Sequence, residues 1–365
     1  MPTYELRIYN PAGSQTASIT NALDINYVKR VNEPGFCNFT LARNHPAIQY
    51  LVDKAQVEVW RSDAVYGIAP YCDFYGLWRK ASVRGKPVNT YTASCVGQMA
   101  LLGWRTVNFR AAVANRSVFT SAKAETIMKT LVTYNATASA TVANARISDG
   151  TWPDRTITIQ TDATTGSTRD WDCAQKNLLG TLKDLSRVAG GDYDLVKTAA
   201  ATWDFRFYAG QLGIDRTASV IISEERGNMT NATFTRDYTN EKTVAIVGGQ
   251  YEKADRVYVT ELSSTYTTSN KIEMFVDGKS YTTTAGLTAI GQSALYQAPL
   301  TTALSFEVLQ VPSTLYGVHY NMGDLVTVSF DGTSYTQKMN GVTVTWRPGG
   351  SQGSPEHITP ELSNV

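Results

Sequence analysis

Imidazoles, thiols and paired carboxylates are the side chains that could give this chain a chemistry. The three histidines, His45, His319 and His357, lie far apart in sequence, and His45 precedes a proline in a turn. No H-E-x-x-H, G-x-S-x-G, P-loop or G-x-G-x-x-G pattern accompanies them. The four cysteines are Cys37, Cys72, Cys95 and Cys173. None stands in a CxxC or CxxH spacing, so no zinc site is expected. Cys37 and Cys95 sit in strand-like runs, where cysteine acts as a small buried hydrophobe. Glu224 and Glu225 are adjacent and would point to opposite faces of a strand. Glycoside hydrolysis needs two carboxylates facing one substrate. Followed by Arg226-Gly227-Asn228, this pair reads as a solvated hairpin turn. Asp170, Asp172, Asp192 and Asp194 flank a predicted helix, and the ones at its start are explained by capping and the helix dipole. No catalytic, cofactor-binding or metal-binding residue is therefore assigned. Five N-x-[ST] sequons begin at Asn38, Asn115, Asn135, Asn228 and Asn231 and carry no functional weight.

Aromatic clusters offer a second chemistry, the stacking of sugars. Tyr71, Phe74, Tyr75 and Trp78 form one cluster, and Trp203, Phe205, Phe207 and Tyr208 form another. Alternate residues on a strand share a face, so half of each cluster is expected in a core or subunit interface.

The elements that would position these residues are mostly strands. Composition leans that way, with 20 Tyr and 7 Trp among 365 residues and many Thr and Val, which suit a pleated, half-buried surface. Only 18% of residues are charged, below the usual ~25%. The net charge of +1, with Lys and Arg scattered singly, argues against a nucleic-acid footprint or a polybasic membrane segment. The N-terminus begins directly in strand-like alternation, without a signal peptide, and no window spans a membrane. Synthesis in a reducing cytoplasm is expected.

The length predicts roughly two or three domains. Residues 1–110 read as strands, clearest at Tyr4–Tyr9, Ile25–Val31, Cys37–Leu41, Gln56–Arg61, Phe74–Arg79 and Thr90–Cys95, with a short helix at Gly97–Leu102. Residues 111–204 read as α/β. A helix carries Ala124, Ile127, Met128, Leu131 and Val132. A second spans Asp172–Val188, capped by Asp170 or Asp172 and stopped by Gly190-Gly191. The strand Arg155–Gln160 lies between them. From Trp203 the β pattern resumes at Trp203–Tyr208, Val220–Ser223, Met229–Arg236, Val244–Val247 and Arg256–Val259. One further helix is expected near Leu287–Gln297. The last strands are Leu304–Val311, Leu325–Phe330, Tyr335–Met339 and Val342–Trp346, with Asp331-Gly332 as a hairpin turn. Residues 348–365 read as a loosely packed arm. Val57-x-Val59 followed by Phe74-x-Gly76-x-Trp78 is weakly echoed by Val326-x-Val328 followed by Met339-x-Gly341.

Three blocks carry a resemblance. They are the N-terminal strands with Pro34-Gly35-Phe36-Cys37-Asn38-Phe39-Thr40-Leu41; the segment Ile221–Val259, with Glu225-Arg226-Gly227-Asn228-Met229 and Val247-Gly248-Gly249-Gln250; and Met322-Gly323-Asp324-Leu325-Val326-Thr327-Val328. In order and spacing the chain resembles the phage tail hub proteins of siphophage tail tips and baseplates. The resemblance implies a mainly β fold with an α+β insertion: two tube-like β-barrel domains plus a small α/β domain, able to form rings. The boundaries expected are 1–112 with 205–243 for the first tube-like domain, 113–204 for the insertion, 244–347 for the second tube-like domain with its appendage, and 348–365 for the arm.

It implies a structural virion protein and no enzyme: a homotrimeric hub that adapts a sixfold tail tube to a threefold tip and lines the DNA-ejection channel. Its partners would be the distal tail protein or tail tube ring, and tail-tip or fibre proteins. Tape-measure protein and DNA would pass through the lumen without specific binding. A separate protein would supply wall cutting or receptor contact. The alternatives are a carbohydrate-binding receptor-recognition module, tested by Trp78→Ala or Tyr75→Ala, and a cell-wall glycoside hydrolase, tested by Glu224→Gln.

Overall fold

Alternation in the first strand sets the pattern for most of the molecule: Tyr4, Leu6 and Ile8 are buried while their neighbours are half-buried or exposed. In the computed structural model, which describes residues 2–110, 112, 113, 116–251, 253–279, 284–349 and 355–364, the chain is mainly β and divides into two units. The first contains residues 1–230 and 306–365, the second residues 231–305.

An eleven-stranded sheet organises the first unit. Its N-terminal strands are β1 (Pro2–Tyr9), β2 (Gln15–Ile19), β3 (Asp24–Arg30), β4 (Glu33–Ala42), β5 (Gln56–Asp63), β6 (Ile68–Arg84) and β7 (Thr90–Gly97). A short helix, α1 (Ala100–Gly103), follows. The other strands come from the far end of the chain: β14 (Ile221–Ser223), β20 (Leu325–Phe330), β21 (Thr333–Trp346) and β22 (Glu356–Asn364). The order is β14-β20-β21-β3-β4-β7-β6-β5-β1-β2, with β22 on the other side of β21.

The sheet is strongly curled. Five strands separate β21 from β1 in that order, which would place them about 30 Å apart in a flat sheet at ~4.8 Å per strand. Yet the rings of Tyr4 and Trp346 have centroids 5.3 Å apart. Tyr27 and Phe74 likewise meet at 5.9 Å across the curl. Side chains rather than a ladder of backbone hydrogen bonds join β1 to the β21–β22 side among the described residues.

Two small sheets and two helices build the α/β region inserted after α1. One sheet holds β8 (Ala112–Val113), β9 (Arg116–Lys123) and β11 (Thr168–Cys173); the other holds β10 (Thr156–Ile159), β12 (Asp192–Ala199) and β13 (Thr202–Tyr208). Helix α2 (Ala124–Ala136) buries Ile127, Met128, Leu131 and Val132, as their spacing predicts. Helix α3 (Leu178–Ala189) buries Leu178, Leu182 and Leu185. These side chains form one core with Tyr193, Leu195, Trp203 and Phe205.

The second unit carries β16 (Val244–Gly248) between β17 (Tyr258–Leu262) and β18 (Glu273–Asp277), with α4 (Thr284–Tyr296) covering one face through Leu287 and Leu295. The chain leaves the first unit along β15 (Met229–Asp237) and returns along β19 (Thr301–Val308), which pair with each other.

Several expectations from sequence are corrected. The second helix starts at Leu178, not Asp172. Asp170 and Asp172 lie on β11, and the cap is Asn177, whose side chain accepts from the Gly180 amide. Tyr335–Met339 and Val342–Trp346 are one strand, β21, irregular at Met339/Gly341. Strands β20 and β21, expected in a second tube-like domain spanning 244–347, belong to the main sheet, with β21 pairing along β3. The Trp203–Tyr208 strand, expected with the first tube-like domain, pairs with β10 and β12 in the α/β region. Within the expected arm 348–365, Glu356–Asn364 is the paired strand β22, while residues 350–354 and 365 lie outside the described residues. An edge strand tolerates Pro360 because one side of its backbone needs no ladder partner. The hairpins whose sequences echo each other, β5–β6 and β20–β21, both belong to the main sheet.

Candidate functional site

The interior of the curled sheet contains a fully partnered set of charges where an apolar core would be expected. Arg61 on β5 is 2% exposed and points inward. Its Nε and Nη2 donate to the Glu356 carboxylate of β22 at 2.7 and 2.8 Å. Its Nη1 donates to the Tyr316 carbonyl and the Tyr71 hydroxyl, each at 3.2 Å. The Tyr4 hydroxyl donates to the same carboxylate. Burial works against the Arg61 charge, but the hydrogen bonds and charge of Glu356 outweigh it and hold the guanidinium above its ordinary range.

One strand further, Asp73 on β6 accepts from Tyr27 at 2.5 Å, Lys29 at 2.7 Å and Tyr316 at 3.0 Å. Burial would raise its pKa; the Lys29 charge and these donors reverse that and lower it. The two clusters share Tyr316 and tie β1, β3, β5, β6, β22 and the segment before β20 together, across up to 352 residues of chain. A bidentate guanidinium–carboxylate pair fixes orientation as well as separation. The group therefore acts as a clasp that holds the curl.

Beside the clasp lies a cleft of about 220 Å³ lined by Lys29, Asp73, Tyr75, Asp194, Lys197 and Met322, among others. Its charged groups are engaged in holding neighbouring elements. Lys197 of β12 bonds Glu58 of β5 at 2.7 Å, and Glu58 also accepts from Tyr9 and Trp60 at 2.8 Å. Lys183 of α3 bonds Glu33 of β4 at 2.5 Å. Asp194 accepts the Leu195 amide at 2.7 Å, and burial raises its pKa. The cleft thus seats the α/β region on the main sheet.

The residues singled out from sequence are dispersed. His45 accepts the Ala47 amide, His319 accepts the Leu315 amide, and His357 pairs with Thr345 on β21. Burial pushes all four thiols above their ordinary range, the opposite of what a nucleophile needs. Glu224 and Glu225 sit exposed in a turn. No group of three or more metal-ligating side chains assembles among the described residues. Phe74, Trp203, Phe205 and Phe207 are core residues, and Tyr71, Tyr75, Trp78 and Tyr208 are half-buried. Asn135 and Asn228, two of the sequons, are buried and hydrogen-bonded, whereas Asn115 lies outside the described residues. Sequence reasoning missed the clasp: Arg61, Asp73 and Glu356 stand in unremarkable strand contexts, and only the fold joins them. No helix among the described residues is long and apolar enough to cross a membrane.

A family model, Siphovirus ReqiPepy6 Gp37-like protein, matches residues 5–356. The chain belongs to that family. No curated protein matches this Gp37-like chain in sequence. Its fold is shared with the 43 kDa tail protein of prophage MuSo2 from Shewanella oneidensis, at a TM-score of 0.64 and 11% identity over 99% of this chain and 98% of that one. It is shared also with the tail protein from Neisseria meningitidis MC58, at 0.59 and 12% over 98% and 97% of the two chains. Prophage tail protein gp18 from Listeria monocytogenes EGD-e gives 0.54 and 11% over 98% and 94%.

Proposed function

We propose that this Gp37-like chain is a structural protein of a phage virion, the hub at the distal end of a phage tail. The observation that carries the proposal is the extent of the fold match. Nearly the whole length, insertion included, corresponds to nearly the whole length of prophage tail proteins. A shared module would match only part of each chain.

The finer proposal is a homotrimeric ring that lines the ejection channel and adapts a sixfold tube to a threefold tip. The tube ring or distal tail protein would lie on one side, and tail-tip or fibre proteins on the other. Tape-measure protein and DNA would pass through. The edges at β2 and β22, which have no second strand partner among the described residues, are aggregation hazards on an isolated chain, and a closed ring can cover such edges and stop growth. Chemistry supports a mechanical role. The charges of the clasp and cleft face one another and brace the curl against the load of tail assembly. The curled main sheet would supply the tube-like wall.

Immunogold labelling of purified virions tests the location. Gold at the tail tip is expected, and labelling elsewhere, or none on intact and disrupted tails alike, would overturn the hub. Clearing of a cell-wall suspension by the purified protein, abolished by Glu224→Gln, would replace the structural role with a hydrolase. Glycan binding lost in Tyr75→Ala or Trp78→Ala would replace it with a receptor-recognition module.

A further inference from the structure

A second charged cluster in the first unit differs from the clasp in one respect: several of its buried donors lack acceptors. Arg105 follows α1, Arg146 lies in the loop after α2, and Arg155 immediately precedes β10. The Arg105 guanidinium lies 3.5 Å from the centre of the Trp152 ring, and Arg155 lies over the same ring at 5.1 Å. Trp152 meets Trp104 edge-on at 6.4 Å. Gly150 lets the covering segment lie close, because a Cβ there would be 2.7 Å from the Arg146 guanidinium.

The surrounding acceptors do not reach every donor, although the Asp149 charge offsets part of the burial of Arg105 and Arg146. Arg155 Nε and Nη2 take both oxygens of Asp154 at 2.9 and 2.6 Å. Arg146 uses Nη1 on Ser148 and Nη2 on the Thr106 carbonyl at 3.3 Å. Asp149 turns Oδ1 to the Thr151 amide and hydroxyl, both at 2.8 Å. Arg105 Nε and Nη2, Arg146 Nε, Arg155 Nη1 and Trp152 Nε1 remain buried without an acceptor. Arg146 is 4% and Arg155 6% exposed. Arg105 is pushed down to about 10, first by burial and then by the charges of Arg146 and Arg155.

Unpaired buried donors are costly, and buried unpaired charge more so. A ligand that relieves this arrangement must be acceptor-only, anionic and able to receive several N–H groups from different directions. Guanidinium forks match tetrahedral oxyanions in this way. We propose that Arg105, Arg146 and Arg155, roofed by Trp152, form a binding site for a small tetrahedral oxyanion of the phosphate or sulfate class. The anion enters beside the half-buried Arg105 as Trp152 moves off its guanidinium. Bound there, it neutralises the triad and locks the loop between α2 and β10 against α1.

Titration calorimetry of the full-length protein with inorganic phosphate, at ionic strength held constant with sodium chloride, tests this. Saturable binding of one phosphate per chain is expected, with affinity lowered tenfold or more in Arg105→Gln. The Nε and Nη2 of Arg105 bond no acceptor among the described residues, so this variant removes repulsion and keeps the fold. Its melting midpoint without phosphate is expected to equal or exceed that of the unaltered chain, while phosphate raises the midpoint of the unaltered chain alone by a few degrees. Unsaturable heats, or equal phosphate affinity in Arg105→Gln and the unaltered chain, would overturn the site. A folded Arg105→Lys variant that binds as weakly as Arg105→Gln is expected from the loss of the fork.

Discussion

Glu356→Gln is the perturbation that most directly weighs the clasp. The substitution keeps size and shape but removes the charge facing Arg61, which is 2% exposed and bonded to both carboxylate oxygens. Breaking a buried pair by removing one partner costs about 3–5 kcal/mol, because the remaining charge stays desolvated. A glutamine oxygen still accepts one hydrogen bond, and the Tyr4 hydroxyl can reorient, so the lower end, about 3 kcal/mol, is expected. Replacing both partners with apolar residues, Arg61→Met with Glu356→Leu, removes the charge altogether and should recover most of that loss. The assay is urea denaturation of the single and double variants at one protein concentration, since assembly would shift the midpoints. Hydrogen exchange at the amides of residues 357–363 localises the effect, because β21 is the one strand that pairs with β22 among the described residues, and Arg30 of β3 adds only a half-exposed pair with Glu361 at 2.8 Å. A cost below about 1 kcal/mol for Glu356→Gln, with unchanged protection of β22, would refute the idea that this pair holds the curl.

Three further outcomes are expected. Glu125 is held at about 2: burial pushes it up, but donors from Lys129, Thr165 and Ala163 outweigh that. Its stabilisation is complete above its unfolded pKa and is lost as pH falls from about 4.5 to about 2. Acid titration of stability should show roughly 3 kcal/mol of this loss, and a Glu125→Gln variant that leaves the acid limb unchanged would contradict it. Asp194 has the opposite sign. Its pKa is raised by burial, so the ionised form costs stability at neutral pH and Asp194→Asn should raise the melting midpoint at pH 7, with the gain vanishing in acid; a lowered midpoint at pH 7 would refute this. Gly97→Ala would place a Cβ 1.4 Å from the Pro34 carbonyl oxygen, backbone that cannot yield cheaply, and should cost several kcal/mol in thermal melting; a stable, native-like variant would show that β4 and β7 part more readily than the geometry implies.

Much of the β architecture was legible because alternation is a local signal. Tyr4–Tyr9 and Trp203–Tyr208 bury alternate residues, Ile25–Val31 does so at Ile25 and Tyr27, and Gln56–Val59 is buried on both faces, while Asp331-Gly332 makes its turn with both residues at positive φ. Failures fall where local chemistry has two explanations. Asp170 and Asp172 look like helix caps, but Asp172 pairs with Arg116 across the β9–β11 ladder. Glu356–Asn364, with its serine and proline, looks like an arm until Arg61 supplies a partner for its first residue. The clasp was illegible for a deeper reason. Arg61 and Glu356 are 295 residues apart, and nothing at either position marks it as half of a buried pair. The domain expectations suffered likewise, because sequence order does not reveal that β21 returns to pair with β3.

The central proposal, a ring-forming tail hub, is tested most directly by the mass and shape of the assembled protein. Light scattering coupled to size exclusion, followed by negative-stain imaging, should give three times the 40.0 kDa chain and rings with an open centre. A chain that stays monomeric both alone and when mixed with its tail tube or distal tail partner would contradict the hub.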